Sequence, residues 1–174
     1  MAVTPDEFRS VLAQWASGLT VVTTWRVGGI HGMTASSFCS VSLAPPLILV
    51  CVDRATRIHA YIQEQKAFGV NLLRVDQEEL SRLCAGVHGE QGNWLEGVPY
   101  RTATTHAPLL VHCLAWLDCS LWQAYDGGDH TIFVGQVEAS GVSGGEPLLW
   151  YNRGHRRLAT AARNQPPTDA DKRG

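Results

Sequence analysis

The chain has 174 residues, 45% hydrophobic and only 17% charged, with a formal net charge of -2. That length suits one domain around a single buried core, and the slight acidity excludes the basic surface that nucleic-acid binding requires. The longest apolar run, Ala44 to Val52, is broken by two prolines and is too short for a membrane span; with no secretory pattern at the N-terminus either, a cytoplasmic location is expected.

Thr4-Pro5-Asp6-Glu7 combines a capping hydroxyl, a proline at the first helical position and a glutamate at the third, which predicts a helix start. Phe8, Val11, Leu12 and Trp15 follow at helical spacing as one apolar stripe, and Gly18 ends the pattern. The reading then turns extended. Leu19 to Trp25 is a Val/Thr-rich strand, Gly28-Gly29 a tight turn, and His31 to Ser40 the returning strand. Leu47 to Val52 predicts a strand buried on both faces, Arg57 to Gln65 a helix with Ile58, Tyr61 and Ile62 on one side, and Phe68 to Leu73 another strand.

Asp76 with Glu79 repeats the capping pattern ahead of a helix carrying Leu80, Leu83 and Cys84. Residues Ala85 to Pro99 read as a Gly-rich loop anchored by Trp94. Strands are then expected over Leu109 to Leu121, Thr131 to Glu138 and Pro147 to Tyr151. Residues 1–162 form the expected domain, and 163–174 a polar, disordered tail. Strands dominate without strand-helix alternation, so the fold class is mainly β, a closed antiparallel barrel with a few peripheral helices.

The cysteines Cys39, Cys51, Cys84, Cys113 and Cys119 form no CxxC pair, so no metal is expected and the reading is reduced, packed thiols. Cys113 and Cys119 would share one face of a strand. Three polar clusters could carry chemistry. Thr34, Ser36, Ser37, Ser40 and Ser42 crowd the run GMTASSFCSVSL, Gly32 to Leu43, which fits a solvated strand edge or a holder of phosphate or a planar ring's polar rim. Asp53, Arg54, Thr56 and Arg57 stand at a helix start, either as a cap with solvated arginines or as a phosphate site. His130 follows Gly127-Gly128-Asp129 at the mouth of a strand, a surface histidine or one reaching into a cleft. No nucleophile elbow, Rossmann fingerprint or Walker loop is present, and a cofactor bringing its own electronics would need none of these.

In order, GMTASSFCSVSLAPPLILVCVDRATRIHAYIQEQKAFGVNLL, APLL, GGDHTIFVGQV and PLLWYNRG resemble the short-chain flavin reductase family, the reductase components of two-component flavin-dependent monooxygenases. The resemblance spans about residues 5–158. It implies a Greek-key split β-barrel, an FMN-binding split barrel, acting as a homodimer. Residue by residue, it implies that Thr34, Ala35, Ser36 and Ser37 line the isoalloxazine edge, with Ser40, Val41 and Ser42 along the ring and ribityl chain. It places Asp53, Arg54 and Thr56 at the phosphate, Asn71 near the flavin, and Ser81 and Arg82 at phosphate or adenylate. His130 would stand beside the nicotinamide, with Tyr151, Arg153 and His155 on that same side.

The implied activity is hydride transfer from NADH or NADPH to FMN or FAD, the reduced flavin serving a partner monooxygenase. His130 would position the nicotinamide. Two departures stand out: His155 occupies a position where the family commonly has an aromatic residue, often Tyr, and the segment around Gly92-Asn93-Trp94 lacks the Lys-Phe pair often found there. A split-barrel flavoprotein that retains its flavin for another redox task, such as corrinoid reduction, and a non-catalytic flavin-binding module are the alternatives.

Overall fold

At the N-terminus the expected cap forms. Thr4 Oγ1 accepts the Glu7 N–H at 3.3 Å while the Glu7 carboxylate takes the Thr4 N–H at 2.8 Å, opening helix α1 (Pro5–Leu12). The structure, a computed structural model, describes residues 2–86 and 95–159. The expected anchor Trp94, the departure around Gly92 and the tail 163–174 therefore lie outside the described residues. Helix α1 stops at Leu12, well before Gly18, and buries none of its residues. Phe8, Val11, Leu12 and Trp15 all face outward, so the stripe that suggested a core contact is a surface feature of the single chain.

The strands are β1 (Ser17–Gly18), β2 (Thr20–Arg26), β3 (Gly29–Ala35), β4 (Cys39–Leu43), β5 (Pro46–Asp53), β6 (Ala67–Leu72), β7 (Tyr100–Arg101), β8 (Leu109–Leu110), β9 (Ala115–Gly127), β10 (His130–Val142), β11 (Leu149–Tyr151) and β12 (Gly154–Arg156). Two more helices, α2 (Arg57–Gln65) and α3 (Glu78–Cys84), interrupt them. Seven strands form one antiparallel sheet in the order β3-β2-β6-β9-β10-β5-β4. Its two edges, β3 and β4, are consecutive in the chain yet do not pair with each other, which leaves the barrel split there. Helix α2 carries the chain from β5 back to β6, which inserts between β2 and β9, and Ile58 and Ile62 of that helix are fully buried.

Val22, Val50, Val52, Phe68, Cys119 and Phe133 come from five different strands and share one apolar cluster with Ile58 and Ile62, so the sheet wraps around a common core. A second cluster, including Leu73, Leu110 and Leu148, lies under the connections that carry β1, β11 and β12. Burial of these side chains is worth about 25 cal/mol per Å² of apolar surface removed from water.

Several sequence expectations are corrected. The returning strand does not run from His31 to Ser40; it ends at Ala35, and Ser36-Ser37-Phe38 turn the chain into β4. β5 alternates buried and half-buried residues because only one of its faces meets the core. The span Leu109 to Leu121 breaks at His112, whose φ of 70° is left-handed, so Cys113 lies in that turn and not on a strand face with Cys119. Helix α3 starts at Glu78 after an uncapped Gln77. Asp76 is occupied by Arg74 at 3.0 Å, and a turn closed by Gln77 N–H to Arg74 O at 2.9 Å intervenes.

Of the thiols, Cys84, Cys113 and Cys119 are buried, while Cys39 is exposed. Burial pushes Cys113 up to about 11 and Cys84 to about 12. Among the described residues no helix is long and apolar enough to cross a membrane.

Candidate functional site

At the split, the end of β3, helix α3 and the β11–β12 hairpin enclose a cleft of about 700 Å³. The hairpin turn has Asn152 and Arg153 in succession at φ 48° and 59°. Two left-handed residues in a two-residue loop are the geometry of a type I′ turn, whose twist matches paired strands. An arginine tolerates that conformation poorly, so the turn holds Arg153 where a more relaxed loop would not, on the cleft wall. Tyr151 sits outside, its hydroxyl donating to Gln14 Oε1 at 3.2 Å.

Helix α3 supplies the opposite wall. Thr34 Oγ1 donates to the Ser81 carbonyl at 2.6 Å, pinning β3 to this helix. Ser81 Oγ lies 3.1 Å from His155 Nε2, and His155 Nδ1 lies 3.2 Å from Glu78 Oε1. The same carboxylate oxygen takes Arg82 at 2.5 Å. The Arg82 hydrogen bond, foremost, holds Glu78 below the ordinary carboxylate range, with His155 and Arg157 adding to it. Trp150 packs edge-on against the His155 ring at 5.1 Å between centroids. The wall thus presents hydroxyls and guanidinium groups, while its one carboxylate is already engaged.

Ser36 also lines this cleft. Two smaller hollows adjoin it: one shares Ala85 and contains His31 and Thr56, the other shares Leu19 and Ser36. Six residues singled out from sequence, Thr34, Ser36, Ser81, Arg82, Arg153 and His155, therefore meet in one place.

The others divide. Ser37 ties the turn to β5, donating to Cys51 O at 3.0 Å and accepting Cys51 N–H at 3.1 Å, two residues before Asp53. Asp53 pairs with His130 across β5 and β10, so the second and third sequence clusters are spatial neighbours. There Arg54 meets Asp126 at 3.1 Å and donates from Nε to Thr131 Oγ1 at 3.3 Å, while His130 Nδ1 lies 2.7 Å from Asp129. Burial, followed by the Arg54 charge, lowers the pKa of nearby His59. His130 lines none of the three hollows.

Ser40, Val41 and Ser42 lie on the exposed edge strand β4, where a bulge separates Ser40 from Ser42. Ala35 points into the core. Asn71 does not reach the cleft. Fully buried, it donates to Val21 O at 2.9 Å and Thr23 Oγ1 at 3.0 Å and accepts Leu110 N–H at 2.7 Å. Sequence reasoning missed Glu78 and Trp150. The i, i+4 spacing of Glu78 and Arg82 was the available signal for the first, and the WYNRGH segment contained the second.

A split antiparallel barrel with a cationic, hydroxyl-lined cleft of this size suits an elongated, anionic small molecule. The chain belongs to the flavin reductase-like domain family, which it matches over residues 12–159. It is 37% identical to an NADH-dependent flavin reductase of a Rhodococcus species, covering 94% of this chain and 92% of that one. It is 38% identical to the reductase component of the Thermus thermophilus 4-hydroxyphenylacetate 3-monooxygenase, over 88% of this chain and 96% of the relative. The solved structure of the Streptomyces globisporus NADH:FAD oxidoreductase with NAD and FAD fragments superimposes with a TM-score of 0.83 at 34% identity, covering 93% and 99% of the two chains.

Proposed function

We propose that this protein is an NAD(P)H:flavin oxidoreductase that transfers hydride from NADH or NADPH to FMN or FAD and supplies the reduced flavin to a separate monooxygenase component. The observation that carries this reading is the cleft at the split, lying within a likeness that covers nearly the whole chain. The donor set fits a phosphorylated flavin. Arg82 and Arg153 offer guanidinium forks for phosphate oxygens, Ser81 a hydroxyl, and Thr34 and Ser36 small polar groups beside which a flat ring can lie.

When bound, flavin and nicotinamide supply the hydride acceptor and donor themselves. The chain's own task is placement. Arg82 and Arg153 anchor the charged end, Ser36 and Thr34 fix the polar rim, and Trp150 with Leu19 keeps water from one side of the cleft. Holding two reactants in register removes most of the entropic barrier to their meeting. Asp129 fixes the His130 imidazole, which stays partly exposed, available to a donor held outside the single-chain cleft.

The exposed apolar face of α1, together with Leu43 at the β4 edge, supports a homodimer. In the test, NADH consumption is followed with protein stripped of flavin, and FMN or FAD is then added. Consumption should begin only on addition. A rate unchanged by flavin contradicts the reading.

A further inference from the structure

The Glu78–His155–Ser81 chain has a directional consequence. Glu78 is ionised and can only accept, so His155 Nδ1 carries a proton whether the ring is neutral or charged. With a neutral ring, Nε2 is a bare lone pair and Ser81 must donate its hydroxyl proton to it. Ser81 then shows the cleft only lone pairs, which repel an anion. With a charged ring, Nε2–H donates to Ser81 Oγ, and the hydroxyl proton is released to point into the cleft.

We infer that Glu78, His155 and Ser81 form a proton relay that couples binding of a phosphoryl oxyanion in the cleft to uptake of a proton from solvent. The proton adds to His155 Nε2, the Ser81 hydroxyl reverses its donation, and no other bond changes. This rests on the proposed flavin reductase reading for the ligand but not for the geometry. The charged surroundings come from both walls of the cleft. Helix α3 presents Glu78 and Arg82, and the hairpin and the residue after it present Arg153, Arg156 and Arg157; β3 and the turn after it contribute the non-titrating Thr34 and Ser36. An oxyanion entering among these guanidinium groups adds a negative charge to the cleft beside the imidazole. Arg82 and His155 also share Glu78 Oε1, so a phosphate that draws Arg82 away leaves the carboxylate to the imidazolium. A phenol or phenyl ring at position 155 could not do this.

The test is calorimetric titration of FAD, riboflavin and NADH into the full-length protein, each in two neutral buffers of different ionisation enthalpy. Net proton uptake should accompany FAD and be absent with riboflavin. FAD affinity should fall as pH rises, by at most about tenfold per pH unit for one linked proton. His155→Phe should abolish the uptake and flatten the pH dependence. Glu78→Gln, which leaves the ring in place, should reduce the uptake. Uptake with FAD but not NADH assigns the oxyanion to the flavin; uptake with NADH alone assigns it to the pyridine nucleotide. No uptake with either ligand, or uptake that persists in His155→Phe, overturns the relay. A protein that reduces FAD with NADH yet binds it without uptake loses only this inference, whereas failure to reduce any flavin removes the reductase reading.

Discussion

Asn71, which the resemblance puts near the flavin, is held by the backbone of neighbouring strands. Its amide group joins β2, β6 and β8 from a fully buried position. Asn71→Ala should leave the Leu110 N–H and the Val21 carbonyl without this partner, at about 1–3 kcal/mol for each buried group orphaned. Urea unfolding should therefore show a lower midpoint, while the folded fraction keeps its flavin affinity. A variant of unchanged stability with weakened flavin binding would place Asn71 at the ligand after all. Asn, Ser and His were recognised as polar at the right stations, but whether a side chain faces the cleft or the core depends on strand pairing. Thr34, Ser36, Ser81, Arg82, Arg153 and His155 were each singled out through the resemblance, but at three separate places and not as the one cleft they line. Their order around the cleft was not legible, because it is set by an i, i+4 pair on α3 and a left-handed turn at Asn152-Arg153.

Among the elements, α2 was read to the residue, whereas α1, despite its capping box, ends well before Gly18. Helix α2 runs over Arg57–Gln65 because Ile58 and Ile62 recur at helical spacing between two strands. The break at His112 had no such signal: a tertiary contact, Leu114 N–H to Leu72 O at 2.9 Å, helps fix that turn. Close approach within β10 offers a test of the barrel packing. A Cβ at Gly135 would stand 2.6 Å from Phe68 Cζ and 3.0 Å from Cys119 Cβ, both in the fully buried core. Gly135→Ala should lower unfolding stability by about 1–3 kcal/mol through overpacking. Gly18→Ala, with nothing within 4 Å of the new methyl, should be close to neutral by the same denaturation measurement. Equal effects at the two sites would show that the barrel interior is looser than described.

At the scale of the whole molecule, one chain leaves Phe8, Val11 and Leu12 of a well-capped helix, and Trp15 just beyond it, in water. Sequence periodicity identified the stripe but could not say whether it met this chain's core or another surface. The proposed homodimer would cover it, and on that proposal Phe8→Glu with Trp15→Glu should convert a dimer to a monomer in sedimentation or light scattering without unfolding the barrel. A wild-type protein already monomeric at high concentration would contradict that assignment.

In the proposed reading, flavin held in this cleft meets a nicotinamide donor presented beside it. This is tested most directly by anaerobic stopped-flow, following loss of the oxidised flavin's visible absorbance when NADH is mixed with FAD or FMN in the presence of the protein. Bleaching should be rapid, saturate with NADH, need the protein, and slow when Arg82 and Arg153 are both replaced by Ala. Bleaching no faster than in buffer alone, with both flavin and NADH well above the protein concentration, would contradict it.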